Sequence, residues 1–250
     1  MGGREDAGEP TFEAFSTLAA VAAVTSRVRL GPLVAGVGYR NPALLAKMTG
    51  TLDVIADGRF EIGVGAGWKR DEYESFGWQF PRLGERMALL RDTLEILALM
   101  LGPAEGQGAY DGVHASVRDA RNVPRGRQAP RVPITVGGNG PEVTWRLAAR
   151  YADEVNLDGM DLDDTRRALP VIASRCEEIG RDAADLRVSA HLPWRAAPPG
   201  SPRVEWLAAF ASLGIARSQI FLPDAADSDD ALASLAEDAR AAGVPMAERG

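Results

Sequence analysis

Apolar and polar positions along the chain follow two periods in turn, and together they predict an alternation of strands and helices. Phe12 to Val24 is alanine-rich and amphipathic, a helix with Thr11 as its cap. Val28 to Val34 (VRLGPLV) is a β-branched apolar run that reads as a buried strand, with Gly31 and Pro32 marking a bulge or an edge. Pro42 opens a helix reaching about Ala56, in which Leu44, Leu45, Met48, Leu52 and Ile55 share one side. Phe60, Ile62 and Val64 then alternate with Glu61 and glycines, which is the period of a short strand. That strand runs into Gly65-Ala66-Gly67, followed by Trp68 and a charged, helix-compatible run from Lys69 to Glu74.

Beyond Tyr73 the pattern gives a loop with Phe76, Trp78 and Phe80 and a long amphipathic helix over roughly 85–101. Residues 102–132 are rich in glycine, proline and arginine, with a small hairpin predicted at 110–116 around Asp111-Gly112. Four strand–helix pairs follow. The strands fall at 132–136, 153–157, 186–191 and 218–222, and the helices at 141–151, 163–179, 201–213 and 229–242. Six strands separated by helices predict a parallel α/β sheet with helices outside it, because parallel neighbours need long right-handed crossovers. No linker or internal repeat divides the chain, so residues 1–250 read as a single domain.

Composition narrows the function classes. Hydrophobic residues make up 46% and charged residues 25%, the balance of a globular protein with a real core. The net charge of −7, without any lysine- or arginine-rich block, argues against nucleic acid or an anionic membrane as a partner. A single cysteine, Cys176, excludes an intramolecular disulfide and any multi-cysteine metal site, and it reads as a buried helical thiol. No apolar run has membrane-spanning length and MGGREDAGEP is no signal peptide, so a soluble, cytoplasmic protein is expected.

Three strand ends carry candidate chemistry. Leu33 to Asn41 (LVAGVGYRN) sets an aromatic and an arginine in a glycine loop that would floor a flat ring; a surface loop is the plain alternative. The second is GRFEIGVGAGWKRDEY. A dinucleotide fingerprint fails there because Trp68 occupies the place of the third glycine, and Trp68 and Tyr73 read as readily as packing residues, in the core or between subunits, as they do as part of a site. The third is TVGGNGPE, Thr135 to Glu142, where a glycine turn before a helix leaves backbone N–H groups for a phosphate or another anion. No Walker lysine follows it, and no G-x-S-x-G elbow exists. His114 and His191 lack a spaced partner, although His191 ends a strand. Asp153, Glu154 and Asp158 cluster without an evident acid–base pairing. With so few catalytic side chains of its own, the chain reads as a cofactor holder, and no catalytic residue is assigned.

In these segments, over Thr17 to Leu90 and Val132 to Leu157, the sequence resembles the bacterial luciferase-like monooxygenase family, closest to its coenzyme F-420-dependent (deazaflavin) oxidoreductase branch. The resemblance implies an α/β fold of the eight-stranded (β/α) TIM-barrel type with the cofactor ring at the strand C-terminal ends. It implies that Leu33-Val34 forms a non-prolyl cis peptide behind the ring and that Gly65, Ala66, Gly67 and Asp71 line it. Gly137, Gly138 and Asn139 fall on the segment that holds the cofactor phosphate, and Trp68 and His191, with Phe76 and Trp78, are expected in the substrate pocket. The implied activity is hydride transfer between F-420 and a small organic substrate. The alternatives are an FMN-dependent monooxygenase and a non-catalytic barrel fragment, and the resemblance leans toward a homodimer.

Family members begin with a strand, a helix and a second strand before the point corresponding to Met1, the second strand ending in an acidic residue or histidine near the ring. Six predicted strands cannot close an eight-stranded barrel. A start assigned too far downstream, or a truncated reading frame, is the expectation ahead of a natural open barrel, with weak cofactor binding and poor solubility for the chain as written.

Overall fold

The computed structural model of the protein describes residues 11–103, 107–192, 199–222 and 229–244. The loop expected over residues 1–10 lies outside them. The chain clusters into two compact units. One takes the described residues up to Gly137 together with Arg150–Asp153, and the other takes Gly138–Ala149 and the described residues from Glu154 onward.

The first unit runs α1 (Ala14–Val24), β1 (Ala35–Gly36), α2 (Pro42–Ile55), β2 (Ile62–Gly65), α3 (Arg70–Ser75), α4 (Leu83–Leu101), the hairpin strands β3 (Gln107–Asp111) and β4 (Ser116–Arg121), and β5 (Ile134–Gly137). β2 lies between β1 and β5, parallel to both, with Val64 opposite Ala35 on one side and Val136 on the other. Ile62, Val64, Ile134 and Val136 are fully buried, as expected of parallel strands covered on both faces. Leu90, Leu94, Leu97 and Leu101 turn one face of α4 into the core at helical spacing.

Buried carboxylates fix the loops of this unit. Asp92 of α4 accepts the Tyr110 hydroxyl proton at 2.8 Å and the amides of His114 and Ala115 at 2.7 and 3.1 Å, which ties the hairpin to the helix. Asp53 of α2 accepts the amides of Arg127 and Gln128 and the Gln128 side-chain amide.

The second unit holds α5 (Thr144–Tyr151, whose last two residues belong to the first unit), β6 (Glu154–Asp158), α6 (Leu162–Glu177), β7 (Arg187–Leu192), α7 (Ser201–Ser212), β8 (Arg217–Ile220) and α8 (Asp230–Ala241). β6, β7 and β8 are parallel neighbours. Ala190 and Leu192 face a core with Leu207, Phe210, Ile215 and Ala239. The alternate positions of the same strands are polar: Glu154, Asn156 and Asp158; Arg187, Ser189 and His191; Arg217 and Gln219.

β2, β5, β6, β7 and β8 and the intervening helices fall where the periodicity puts them, and there are four differences. Thr11 is not the cap of α1; Glu13 is, accepting from the amides of Phe15 and Ser16. Val28 to Val34 is not a continuous strand. It is reduced to a single bridge, Leu30 to Phe60, before the two-residue β1, because Pro32 has no N–H to donate and Glu61 O sits 2.3 Å from where a Cβ on Gly31 would be. The hairpin is longer than 110–116, and α5 starts at Thr144 rather than Pro141. Among the described residues no helix is long and apolar enough to cross a membrane.

Candidate functional site

In the first unit, the strand ends are built around Val34. The Leu33–Val34 peptide is cis, as the resemblance implied. A Cβ on Gly65 would lie 2.9 Å from Val34 Cγ2, one on Gly63 would lie 2.9 Å from Cγ1, and one on Gly137 would lie 3.0 Å from both methyls. Three glycines on β2 and β5 therefore make room for one branched side chain. Leu33 beside it stays 45% exposed, an apolar group at the strand ends.

The turn that follows β2 is braced from two sides. Gly67 has φ +77°, the left-handed region that glycine adopts without cost, and a Cβ there would lie 2.6 Å from the Tyr73 hydroxyl oxygen. Arg86 of α4 donates to the Gly67 carbonyl and lies 4.2 Å over the Phe80 ring. Asp71 is half-buried in the first turn of α3. Tyr73, 1% exposed, is a core packing residue, and its ring is 4.6 Å from Tyr39 and 5.0 Å from Phe80. Burial pushes the Tyr73 and Tyr39 hydroxyls up, and Tyr39, which donates to Glu72 at 2.7 Å, is raised further by that carboxylate. Phe76 and Trp78 stack at 5.2 Å, whereas Trp68 stands 78% exposed.

In the second unit, the Gly138–Gly140 turn is held by specific bonds. The Gly138 amide donates to Asn156 O at 3.0 Å, so it belongs to the sheet. The Trp145 indole N–H donates to Gly138 O at 3.0 Å. The Asn139 side chain donates to Asp158 O at 2.7 Å and accepts from the Asp158 amide at 2.9 Å, clamping the turn to the end of β6. The amides of Asn139 and Gly140 have no hydrogen-bond partner among the described residues, so they are the donors this turn has left for an anion.

The polar face of β6, β7 and β8 forms three layers. At the strand starts, the buried Glu154 carboxylate meets Arg217 at 2.8 Å and Arg187 at 3.5 Å. In the middle, the Asn156 amide donates to Ser189 Oγ at 2.9 Å and to Gln219 Oε1 at 3.0 Å. At the carboxyl ends, Asp158 Oδ1 is 3.0 Å from His191 Nδ1. The hydrogen bond from His191, outweighing the opposing effect of burial, holds the Asp158 carboxyl below its ordinary value.

The expected lack of acid–base pairing is thus corrected. Asp158 pairs with His191 across adjacent strands, while Asp153 binds Arg131 in the first unit. The signal was present in EVNLD and RVSAHL. Their polar residues alternate in step, and in-register parallel pairing sets the last polar residue of each strand side by side. Among the described residues no group of three or more His, Cys, Asp or Glu side chains could hold a metal ion.

Comparison with known proteins bears on this arrangement. An uncharacterised protein of Mycobacterium tuberculosis is 32% identical over 225 residues, covering 89% of this chain and 73% of its own. A pyrimidine monooxygenase of Methylobacterium radiotolerans is 32% identical over 190 residues, covering 72% of this chain and 46% of its own. The solved structure of an F-420-dependent secondary alcohol dehydrogenase in complex with an F-420–acetone adduct superposes with a TM-score of 0.77 at 14% identity, over 92% of this chain and 86% of that one. That likeness shows a shared fold, the luciferase-like barrel type, of which the described residues hold six parallel strands. The family model described as luciferase-like monooxygenase matches residues 3–247, and the chain belongs to that family.

Proposed function

We propose that the protein is an oxidoreductase that transfers hydride between coenzyme F-420 and a small organic substrate. The observation that carries this reading is the strand-end construction around Val34. Three glycines and a branched side chain give an apolar surface that backbone and ring can approach closely, next to the exposed Leu33. The residues fit such a group. Leu33, Val34, Gly65, Ala66 and Gly67 offer the surface for a flat ring, with Asp71 as the polar residue at its edge. The turn over Gly137, Gly138 and Asn139 offers amides for a phosphate, the free ones being those of Asn139 and Gly140. When bound, F-420 supplies or accepts a hydride at its ring carbon. Trp68, exposed in the first unit, and His191, at a strand end of the second, are each candidates for substrate contact. A small-molecule partner and a homodimer are part of the same reading.

Flavin chemistry is the second reading, favoured by the pyrimidine monooxygenase relative. The two differ in oxygen use, since a deazaflavin lacks the ring nitrogen through which reduced flavin activates oxygen. Titrating F-420 and FMN in parallel, with an oxygen electrode on the reduced complexes, tests the proposal. F-420-selective binding without oxygen uptake is expected; FMN-selective binding with oxygen uptake overturns it in favour of the monooxygenase.

A further inference from the structure

We infer that Tyr39 is a redox-active tyrosine, a one-electron donor that Trp78 connects to the surface and whose proton the Glu72 carboxylate takes. The inference goes beyond the hydride chemistry proposed above and holds whichever cofactor the protein binds. Its co-reactant is a one-electron oxidising radical in solution. That radical takes an electron from the Trp78 indole, which releases its N–H proton to solvent as the neutral indolyl radical forms. Tyr39 then gives up its O–H bond: the electron crosses to Trp78, which regains a proton from solvent, and the hydroxyl proton passes to Glu72 Oε2. Trp78 is restored, Glu72 is protonated, and the unpaired electron rests on the Tyr39 phenoxyl.

Every group involved lies in the first unit. The centroids of the Tyr39 and Trp78 rings are 5.1 Å apart, so the electron has a direct ring contact to cross. Trp78 is 36% exposed and stacks on the exposed Phe76, which puts the indole where a dissolved radical reaches it. Tyr39 donates to Glu72 Oε2 at 2.7 Å. Burial and that carboxylate push the Tyr39 hydroxyl up, so the neutral phenol is the species oxidised near pH 7 and its electron leaves only with the proton. The buried Glu72 carboxylate, already at hydrogen-bond distance, is the base this step needs.

The neighbouring aromatics show why the radical rests on Tyr39. Tyr73 lies 4.6 Å from Tyr39 and 6.3 Å from Trp78, but its buried hydroxyl has no acceptor among the described residues, so its proton has nowhere to go. Tyr110 and Tyr151 donate to the carboxylates of Asp92 and Glu95, yet neither ring packs on another aromatic ring among the described residues. Trp68 is the more exposed indole, but it touches no tyrosine ring among them. Among the described residues, Tyr39 alone joins a tryptophan contact to a carboxylate acceptor.

Pulse radiolysis of the full-length protein in azide solution tests this. Azidyl radicals oxidise exposed tryptophans, and absorption follows the indolyl radical as it decays and the phenoxyl radical as it grows. A first-order growth of phenoxyl, at a rate independent of protein concentration, is expected. Tyr39→Phe and Trp78→Phe should each abolish that growth, whereas Tyr73→Phe should leave it intact. Glu72→Gln should slow it by about 100-fold, as the loss of a positioned base does. Phenylalanine keeps the ring packing and glutamine keeps an acceptor for the Tyr39 hydroxyl, so these variants are expected to melt close to the unsubstituted protein. Phenoxyl growth that persists in Tyr39→Phe or Trp78→Phe, that disappears in Tyr73→Phe, or that is indifferent to Glu72→Gln overturns the inference. So does a rate that scales with the concentration of the unsubstituted protein, which is transfer between molecules and needs no variant to detect.

Discussion

Val34 Cγ2 occupies the space that a Cβ on Gly65 would need, at 2.9 Å. Gly65 ends β2 and its exchange for alanine would press a methyl against a β-branched side chain with little rotamer freedom. Gly65→Ala is expected to lower stability by about 1–3 kcal/mol, the range of small-to-large changes in packed sites. Val34→Ala should restore most of that loss in the double variant, since it removes the opposing methyl. Gly63→Ala should not be rescued in the same way, because its Cβ would also meet Pro32 O at 2.2 Å, which is backbone and cannot yield. Denaturant midpoints of the four variants measure this, and simple additivity of Gly65→Ala with Val34→Ala would refute the contact.

Asn139 makes a two-point bond to the backbone of Asp158, donating at 2.7 Å and accepting at 2.9 Å. Both residues are exposed, so the pair is worth the lower end of the usual range, about 1 kcal/mol in total. Asn139→Ala should cost that much, and its local effect should be larger than its global one. The Asp158 amide loses its acceptor, so its hydrogen exchange is expected to accelerate well before the protein unfolds globally. An Asp158 amide that exchanges at the unchanged rate would show that the turn does not depend on Asn139.

Much of this fold was legible because periodicity is a local property. Ile62 and Val64, or Leu90, Leu94 and Leu97, announce their elements without knowledge of what they pack on. Val28 to Val34 misled because β-branched composition measures fit to a pleated surface, while pairing depends on which N–H groups exist, and Pro32 has none. The glycines at 63, 65 and 137 were visible as glycines, but that all three serve one valine is a tertiary fact. The Asp158–His191 pair lies between the two. Each residue was noticed alone, at the end of its strand, and only the register between β6 and β7 joins them across 33 positions of sequence.

Cys176 is free and fully buried in α6, and burial pushes its thiol up, so little thiolate is present at neutral pH. The native protein should therefore resist alkylation by iodoacetamide, with one equivalent of label taken up on unfolding in denaturant. Stoichiometric labelling under native conditions would place the thiol at the surface and contradict the packing of α6.

Glu13 caps α1 with both carboxylate oxygens, toward the Phe15 amide at 3.0 Å and the Ser16 amide at 2.7 Å, and pairs with Arg40. Burial tends to raise its pKa, but the two amides, the Ser16 hydroxyl and Arg40 outweigh that and lower it to about 2. A carboxyl depressed in the folded state contributes stability above its ordinary value, near 4.5, and loses it as the pH falls through about 2. Glu13→Gln is expected to cost about 0.5–1 kcal/mol at pH 7, as an exposed cap does. The difference between the two proteins should be constant from pH 7 to pH 5 and shrink below it. Thermal melts at pH 7, 5 and 3 measure it, and a gap that widens toward pH 3 would reverse the sign of the linkage.

Arg203 of α7 and Asp238 of α8 form a buried pair, with Arg203 Nε donating to Asp238 Oδ2 at 2.6 Å. The same oxygen accepts the Gly200 amide at 3.0 Å, and Arg203 also donates to Ser234 Oγ at 2.8 Å, so each charge is satisfied by more than its partner. Removing one charge leaves the other desolvated, and that orphan, rather than the lost attraction, sets the cost. Arg203→Met should therefore destabilise the protein by about 3–5 kcal/mol. Replacing both, as Arg203→Met with Asp238→Leu, leaves only the Gly200 amide and the Ser234 hydroxyl without their partners. The double variant is thus expected to be more stable than Arg203→Met alone, a sign of coupling that a denaturation cycle over the four proteins reads directly. If the double variant is less stable than either single one, the two residues contribute independently, through Gly200, Ser234 and their own packing, and the orphaned charge does not set the cost.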